Sequence, residues 1–225
     1  DNMEVMLFGR GGHGSSPETT VDPVVMAAAS VMRLQTVVSR EIGLSDDATV
    51  TVGALLAGSS GNIIPDEALL RLNVRTYNEQ VRQTVLTAIR RIINAEAVAS
   101  DAPKPPTFSM AGHFPLTVND EAATRTVVGA LKGRFGNERV QEIIPASASE
   151  DFSVFARAWN VPSVYWMVGG VDPQRYAEAQ RAGRLKDIPS NHSPQFAPVI
   201  NPTLRVGVEA MLAAAAPWLT PQDGR

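Results

Sequence analysis

The sequence predicts a mixed α/β protein in two parts. Residues 1–112 carry the pattern of a ferredoxin-like β-α-β-β-α-β sandwich, and residues 113–225 carry that of an incomplete α/β layer. Two observations support the first part: its helical and strand patterns follow each other in the order of the split sandwich, and its helices begin after capping residues. One observation supports the second part, which has several helix signals but too few strand signals to complete a sheet.

The first part alternates strand and helix patterns. Its strand patterns are short apolar or alternating runs at residues 3–8, 49–54, 70–75 and 108–110. Asp22-Pro23 supplies a helix cap followed by proline, and Asn78 caps a second helix. The glycines of Gly9-Arg10-Gly11-Gly12 indicate a flexible loop after the first strand. These elements together give the order of a split sandwich.

The second part is dominated by helix signals. We expect helices after Asn119 (ending near Gly136), after Ser149, and from Asn201-Pro202 through Leu219. Val164–Val168 is a continuous apolar run, which is typical of a fully buried strand. One strand does not make a sheet, so this part reads as a segment of a larger layer.

Composition excludes several classes of protein. The 225 residues are 44% hydrophobic and 19% charged, and the net charge is −3 without any run of Lys and Arg, so nucleic acid is not an expected partner. The longest apolar stretch, residues 210–218, is shorter than the ~20 residues that cross a bilayer, so no membrane is expected. The absence of cysteine excludes disulfides and thiolate metal sites. No signal peptide is visible, and we expect a cytoplasmic protein.

Two motifs of the first part could bind a substrate. His13 lies among glycines in Gly11-Gly12-His13-Gly14, where a ligand can approach the backbone closely, although a surface histidine in a turn would look the same. Asn62, in a loop between paired strands, and Arg75, on the polar face of the next strand, could grip a carboxylate. A turn asparagine and a solvated arginine would give the same pattern.

Two motifs of the second part are less specific. Ser149-Glu150-Asp151-Phe152 has the pattern of a helix N-terminus, where acidic residues complement the helix dipole without any active site. Asn191-His192-Ser193-Pro194 places a histidine in a loop before the last helix. We interpret His113, at the end of the closing strand, as an ordinary surface histidine.

Read in order, these motifs resemble one family, the metal-dependent N-acyl amino acid amidohydrolases, which include hippurate hydrolase and auxin-conjugate hydrolases. Aminoacylase and carboxypeptidase G are more distant relatives. The resemblance rests on Gly11–Pro17 with Thr20–Pro23, Gly61–Pro65, Val74–Thr76, Val118–Asp120, Ser149–Phe152 and Asn191–Pro194. Each motif is weak, but six in the same order cover nearly the whole chain.

The resemblance implies a fold and a set of roles. Residues 1–112 would be a lid that forms a homodimer, and residues 113–225 the C-terminal part of a catalytic domain. His13 would stabilise the oxyanion in the partner's site, and Asn62 and Arg75 would bind the N-acyl amino acid substrate. His192 would be a metal ligand, and Glu150 would border the pocket. The cofactor would be one or two divalent ions of zinc, manganese or cobalt.

The chain also departs from the family pattern. Glu18 follows the lid motif where family members commonly have histidine. The sequence contains no His-x-Asp, His-x-His or Glu-Glu motif and no cysteine, so His192 is the one metal ligand that we can place. We expect the chain to be a fragment that binds no metal and is inactive alone, while its parent protein hydrolyses N-acyl amino acids. The alternative is a non-catalytic dimerising or ligand-binding module.

Overall fold

The computed structural model describes residues 1–146, 148 and 150–219. These residues divide into two compact units: the first covers Asp1–Leu116 together with Ala148 and Glu150, and the second covers the other described residues. The domain boundary expected at residues 112 and 113 stays a prediction. The strands are Asn2–Phe8 (β1), Gly12–His13 (β2), Ala48–Ala57 (β3), Ile63–Ile64 (β4), Glu67–Thr76 (β5) and Thr107–Gly112 (β6). The helices are Pro23–Glu41 (α1), Glu79–Ala99 (α2), Glu121–Phe135 (α3), Ser153–Trp159 (α4), Pro173–Arg181 (α5) and Ile200–Leu219 (α6).

The first unit is the ferredoxin-like sandwich that the sequence predicts. Its four long strands form an antiparallel sheet in the order β3-β5-β1-β6, so the first and third of them in sequence are the central pair. Both helices begin at the expected caps: the Asp22 carboxylate accepts a hydrogen bond from the Val24 amide at 2.8 Å, and the Asn78 side chain accepts one from the Val81 amide at 2.7 Å. The prediction of the fold class is therefore confirmed.

One face of this sheet is apolar and covered, and the other is polar. The alternation of β1 and β5 sends their apolar residues to the helix side, where they form one buried core with α1 and α2. The polar face carries cross-strand pairs between β1 and β5: Arg71 Nε donates to Glu4 Oε1 at 2.9 Å, and Asn73 Nδ2 donates to Asn2 Oδ1 at 2.8 Å. The sheet thus has one face that forms the core with the helices and one face that carries polar cross-strand pairs.

The glycine-rich segment differs from its prediction. The sequence predicts a flexible loop after β1, but Gly12 and His13 pair with Ile64 and Ile63 in a second, two-stranded antiparallel sheet, β2-β4. Two-residue strands are too short to produce a periodic pattern, so the hydrophobic alternation that reveals the longer strands could not reveal these.

The second unit is built on helices. α3 and α6 enclose a small core of Val127, Leu131, Ala210 and Ala214. Among the described residues after 112, no strand forms, and none of the described helices is long and apolar enough to span a membrane.

The prediction of a buried strand at Val164–Val168 is wrong. This segment has no regular secondary structure and is half-buried to exposed. Part of its backbone bonding comes from a side chain: Asn119 Nδ2 donates to the Tyr165 carbonyl at 2.9 Å, and the Tyr165 amide donates to Asn119 Oδ1 at 2.7 Å. A parallel strand needs neighbouring strands, and the described part of this unit has none. Because Asn119 is used in this way, Asp120 caps α3 instead, accepting a hydrogen bond from the Ala123 amide at 2.8 Å.

The other helices of the second unit agree with the sequence in part. The capping residue expected for α4, Ser149, lies outside the described residues, and α4 begins at Ser153. α5 was not predicted, although Asp172-Pro173 repeats the cap-and-proline signature of α1 and the Asp172 carboxylate accepts a hydrogen bond from the Arg175 amide at 2.9 Å. The terminal helix is regular from Pro202 onward, because Asn201 has extended backbone angles.

Candidate functional site

The β2-β4 pair brings His13 and Asn62 together. The two residues lie on adjoining segments, since the amide of Gly14 donates to the carbonyl oxygen of Asn62 at 2.9 Å and His13 pairs with Ile63. Both side chains are exposed. We call residues 11–15 and 60–64 the hairpin site, after the antiparallel pairing of the two segments, which are not consecutive in the chain. The site holds two of the three residues of the first unit that the sequence predicts to act on a substrate.

Glycine makes the approach of these segments possible. A Cβ atom at Gly9 would lie 2.3 Å from the carbonyl oxygen of Val21, and one at Gly11 would lie 2.8 Å from that of Ile64, so larger residues at either position would push the backbones apart. Asp66, which the sequence analysis missed, anchors both glycines. Its carbonyl oxygen accepts a hydrogen bond from the Gly9 amide at 2.7 Å, and its carboxylate accepts one from the Gly11 amide at 2.8 Å.

Two serines contact the side chains of the hairpin site. Nδ1 of His13 lies 2.7 Å from the hydroxyl oxygen of Ser15 and 3.2 Å from the amide nitrogen of the same residue. On the other segment, the hydroxyl of Ser60 donates to Oδ1 of Asn62 at 2.7 Å. One polar atom of each site residue is therefore occupied by the protein itself.

Arg75 lies elsewhere on the first unit. Asp66 precedes the start of β5 and Arg75 is near its end, so nine residues of extended chain, about 30 Å, separate Arg75 from the residue that anchors the hairpin site. On the polar sheet face, Arg75 Nε donates to Asn73 Oδ1 at 3.0 Å, and Asn73 in turn donates to Asn2. One copy of the chain thus does not bring Arg75 together with His13 and Asn62.

Charged groups cluster at the same end of the sheet as Arg75. The guanidinium of Arg82 makes two hydrogen bonds of 2.7 Å to the carboxylate of Asp1, and Nδ1 of His113 lies 3.0 Å from that carboxylate. Hydrogen bonds from the Gln83 amide and then from Arg82 hold the pKa of Glu79 below its usual range. His113, interpreted from sequence as an ordinary surface histidine, is exposed and belongs to this cluster.

The candidate metal ligand, His192, lies in a loop of the second unit. His192 is exposed and adopts a left-handed backbone conformation (φ 70°) in the turn that the Ser193 amide closes onto the Ser190 carbonyl. Within the described ranges, no three His, Asp or Glu side chains gather closely enough to hold a metal ion. A catalytic zinc needs about three protein ligands. The described residues therefore do not by themselves provide the ligands of a metal centre. Glu150 is half-buried.

Comparison with known proteins agrees with this fold. Residues 2–101 match the model of the peptidase dimerisation domain. The hippurate hydrolase of Campylobacter jejuni is 33% identical over 156 residues, which is 69% of this chain and 40% of that enzyme.

Two crystal structures extend the likeness over 97% of the chain. An aminohydrolase from methicillin-resistant Staphylococcus aureus superimposes with a TM-score of 0.76 at 24% identity, over 52% of its own chain. A dinuclear metal-binding peptidase of Bacillus subtilis superimposes with a TM-score of 0.63 at 22% identity, over 50% of its own chain. The chain spans about half the length of these proteins or less. Residues 2–101 are thus a peptidase dimerisation domain, and the chain is related to the hydrolases that carry it.

Proposed function

We propose that this chain provides the dimerising and substrate-binding part of an enzyme that hydrolyses the amide bond of N-acyl amino acids. The observation that carries the proposal is the hairpin site, where His13 and Asn62 are both exposed on a tightly held pair of adjoining segments. The name of hippurate hydrolase, whose substrate is an N-acyl glycine, supports this substrate class.

Each residue has a distinct role in the proposal. Amide hydrolysis places negative charge on the former carbonyl oxygen, and an imidazole N–H aimed at that oxygen stabilises the charge, so His13 is the oxyanion donor. The side chain of Asn62 binds the acyl carbonyl beside it. The planar guanidinium of Arg75 suits the carboxylate of the amino acid, because two N–H groups match two oxygens. Glu150 borders the pocket.

The separation of Arg75 from the hairpin site supports a site shared between two copies. About 30 Å is too far for one small substrate, so His13 and Asn62 of one copy act with Arg75 of the other. Strand β3 offers an edge at which two copies of the chain can pair. Within the described chain it hydrogen-bonds only to β5, and the neighbouring helix α1 exposes Val25 and Met32. A homodimer through this edge joins the two sheets.

Under this proposal, most ligands of the metal lie outside residues 1–225. His192 would be one ligand, and the remaining ligands of one or two zinc, manganese or cobalt ions would come from another part of the parent protein. Such an ion would polarise the amide carbonyl or activate water. In this view residues 1–225 alone are inactive, and the enzyme acts in the cytoplasm.

A second function has one observation in its favour. No cluster of metal-ligating side chains forms within the described part of the chain, as would be expected of a non-catalytic dimerising or ligand-binding module. Such a module would still use the dimerisation fold but would have no use for an oxyanion donor.

The test compares variants in the full-length gene product. We expect turnover of N-acetyl or N-benzoyl amino acids in the presence of zinc, manganese or cobalt, and none by residues 1–225 alone. His13→Ala should lower kcat by about 10²–10³, the cost of losing an oxyanion donor. Ser16→Ala is the matched control, because this residue adjoins the hairpin site and its hydroxyl makes no hydrogen bond to His13 within the described chain. Turnover by His13→Ala within a factor of ~3 of the parent, or no turnover by the full-length protein with metal bound, would contradict the proposal.

A further inference from the structure

The hairpin site contains two hydroxyl groups that the proposed reaction does not use directly. Ser15 and Ser60 lie on the two segments of the site, one two residues after His13 and the other two residues before Asn62. Each contacts the polar atom of its neighbour that can accept a hydrogen bond. The same arrangement thus occurs on both sides of the site.

The contact at His13 determines which ring nitrogen carries the proton. A backbone N–H can only donate, and the amide of Ser15 donates to Nδ1 at 3.2 Å, so this geometry assigns Nδ1 the accepting role. The Ser15 hydroxyl, 2.7 Å from the same atom, then donates to it as well. The proton of the imidazole is consequently on Nε2, which becomes a hydrogen-bond donor.

The contact at Asn62 likewise leaves an N–H donor for a ligand. Its side-chain oxygen accepts from the hydroxyl of Ser60 at 2.7 Å, which fixes the orientation of the amide group. The Nδ2 group, with its two N–H bonds, is therefore the end of the side chain that remains for a ligand. Both site residues turn donors outward, and their acceptors are held by serine.

We propose that Ser15 and Ser60 are positioning residues that convert His13 and Asn62 into a fixed pair of N–H donors for an oxyanion or carbonyl oxygen. The inference rests on the proposed function, because a donor pair is what a developing negative charge requires. Without the two hydroxyls, Nδ1 of the imidazole would keep only the longer contact from the amide of residue 15, and the side-chain amide of Asn62 could rotate. Catalysis would then lose part of its preorganisation.

The first test detects directly which ring nitrogen of His13 carries the proton, and it does not depend on enzymatic activity. The full 225-residue chain, labelled with ¹⁵N, is studied by long-range ¹H–¹⁵N correlation at alkaline pH, where an ordinary imidazole is neutral. The chain has three histidines, and His13→Gln assigns the signals of His13. We expect an unprotonated Nδ1 and a protonated Nε2 in the parent. In Ser15→Ala, which keeps the backbone amide but loses the hydroxyl donor, the ring shifts should move part of the way towards the averaged values of two exchanging tautomers.

Conservative and neighbouring variants make this test specific. Ser15→Thr keeps the hydroxyl and should retain the parent pattern. Ser16→Ala is the matched control, because within the described chain its hydroxyl makes no hydrogen bond to His13. A protonated Nδ1 in the parent, or identical ring shifts in Ser15→Ala and the parent, would overturn the assignment to Ser15.

The second test uses the full-length enzyme. Ser15→Ala and Ser60→Ala should each lower kcat by about three- to tenfold, the effect of one net hydrogen bond, and leave KM nearly unchanged, because the donors act on charge that develops after binding. Ser60→Thr should recover activity, and Ser59→Ala should match the parent. Unchanged kcat in both alanine variants would overturn the positioning role. If the full-length protein hydrolyses no N-acyl amino acid, the proposed function fails, whereas the correlation spectra still decide which nitrogen of His13 is protonated.

Discussion

The two units of this chain differ in how completely each one buries its own apolar residues. In the first unit, two helices cover one face of a four-stranded sheet and nineteen described apolar residues form a single buried core. In the second, the buried cluster has four apolar residues, and α6 leaves Leu204, Met211 and Leu212 largely exposed. Helical amphipathicity alone therefore does not produce a core, because an apolar stripe needs a matching layer.

The largest expected difference concerns local stability. Amides in β1, β5 and α2 exchange only when the first unit opens as a whole, whereas amides in α4 and α5 can exchange through local opening, since these helices bury little. Hydrogen exchange of the full chain should therefore be slower by several orders of magnitude for the amides of β1, β5 and α2 (the first set) than for those of α4 and α5 (the second set). Equal protection in the two sets would show that the second unit is as well packed as the first.

A pair of leucine substitutions tests the same difference in free energy. Leu70 is fully buried in β5, and Leu212 in α6 is 67% exposed. Leu70→Ala should lower the free energy of unfolding of the first unit by about 2–5 kcal/mol, because it removes buried methyl groups and leaves a cavity. Leu212→Ala should change that of the second unit by about 0.5 kcal/mol or less. Chemical denaturation followed by circular dichroism measures both, and a larger loss for Leu212→Ala would reverse the comparison.

Two helix caps give a smaller contrast. Asp22 and Asp172 each precede a proline and accept hydrogen bonds from the first turn of a helix, but α1 is part of the main core and α5 buries none of its residues. Asp22→Ala should cost about 1 kcal/mol of unfolding free energy. Asp172→Ala should reduce helix content and leave the main unfolding transition in place. A shifted main transition in Asp172→Ala would mean that α5 stabilises more than itself.

The smallest effect depends on pH. The hydrogen bond from Arg205, with the further charge of Arg134, lowers the pKa of Glu209 in α6 below its usual range. Since the folded state favours the ionised carboxylate, its contribution to stability is present above the pKa of the unfolded chain and is lost as pH falls through the folded pKa. We expect Glu209→Gln to reduce the acid sensitivity of α6 helicity slightly, while Glu4→Gln in the first unit leaves it unchanged. Equal acid sensitivity of α6 in Glu209→Gln and the parent would show that ionised Glu209 does not stabilise the helix.

Sequence patterns predicted the first unit well because its strands are long and its helices begin with capping side chains. β5 alternates cleanly between a covered and a polar face, which is the signal that a half-buried strand gives. In the second unit, Val164–Val168 has the composition of a buried strand but no described neighbouring strand with which to pair. Composition reports what a segment could bury, and only the neighbouring elements decide whether it does.

The candidate site was predictable only in part. The glycines around His13 and the loop of Asn62 marked both residues, but the contacts that hold them come from pairing between segments about fifty residues apart. Asp66, Ser15 and Ser60 are common polar residues in loops, and nothing in their spacing distinguishes them. For Asp66, the signal that could have been used is its position directly after a turn proline, Pro65.

The distance between the hairpin site and Arg75 has a genetic consequence. Under the proposed shared site, a copy with His13→Ala still offers an intact Arg75, and a copy with Arg75→Ala still offers an intact hairpin site. A cell that makes both defective proteins would assemble mixed dimers in which one of the two sites combines the intact residues. Two inactive alleles of the same gene should therefore complement each other, whereas His13→Ala and Asn62→Ala, which damage the same end of the molecule, should not.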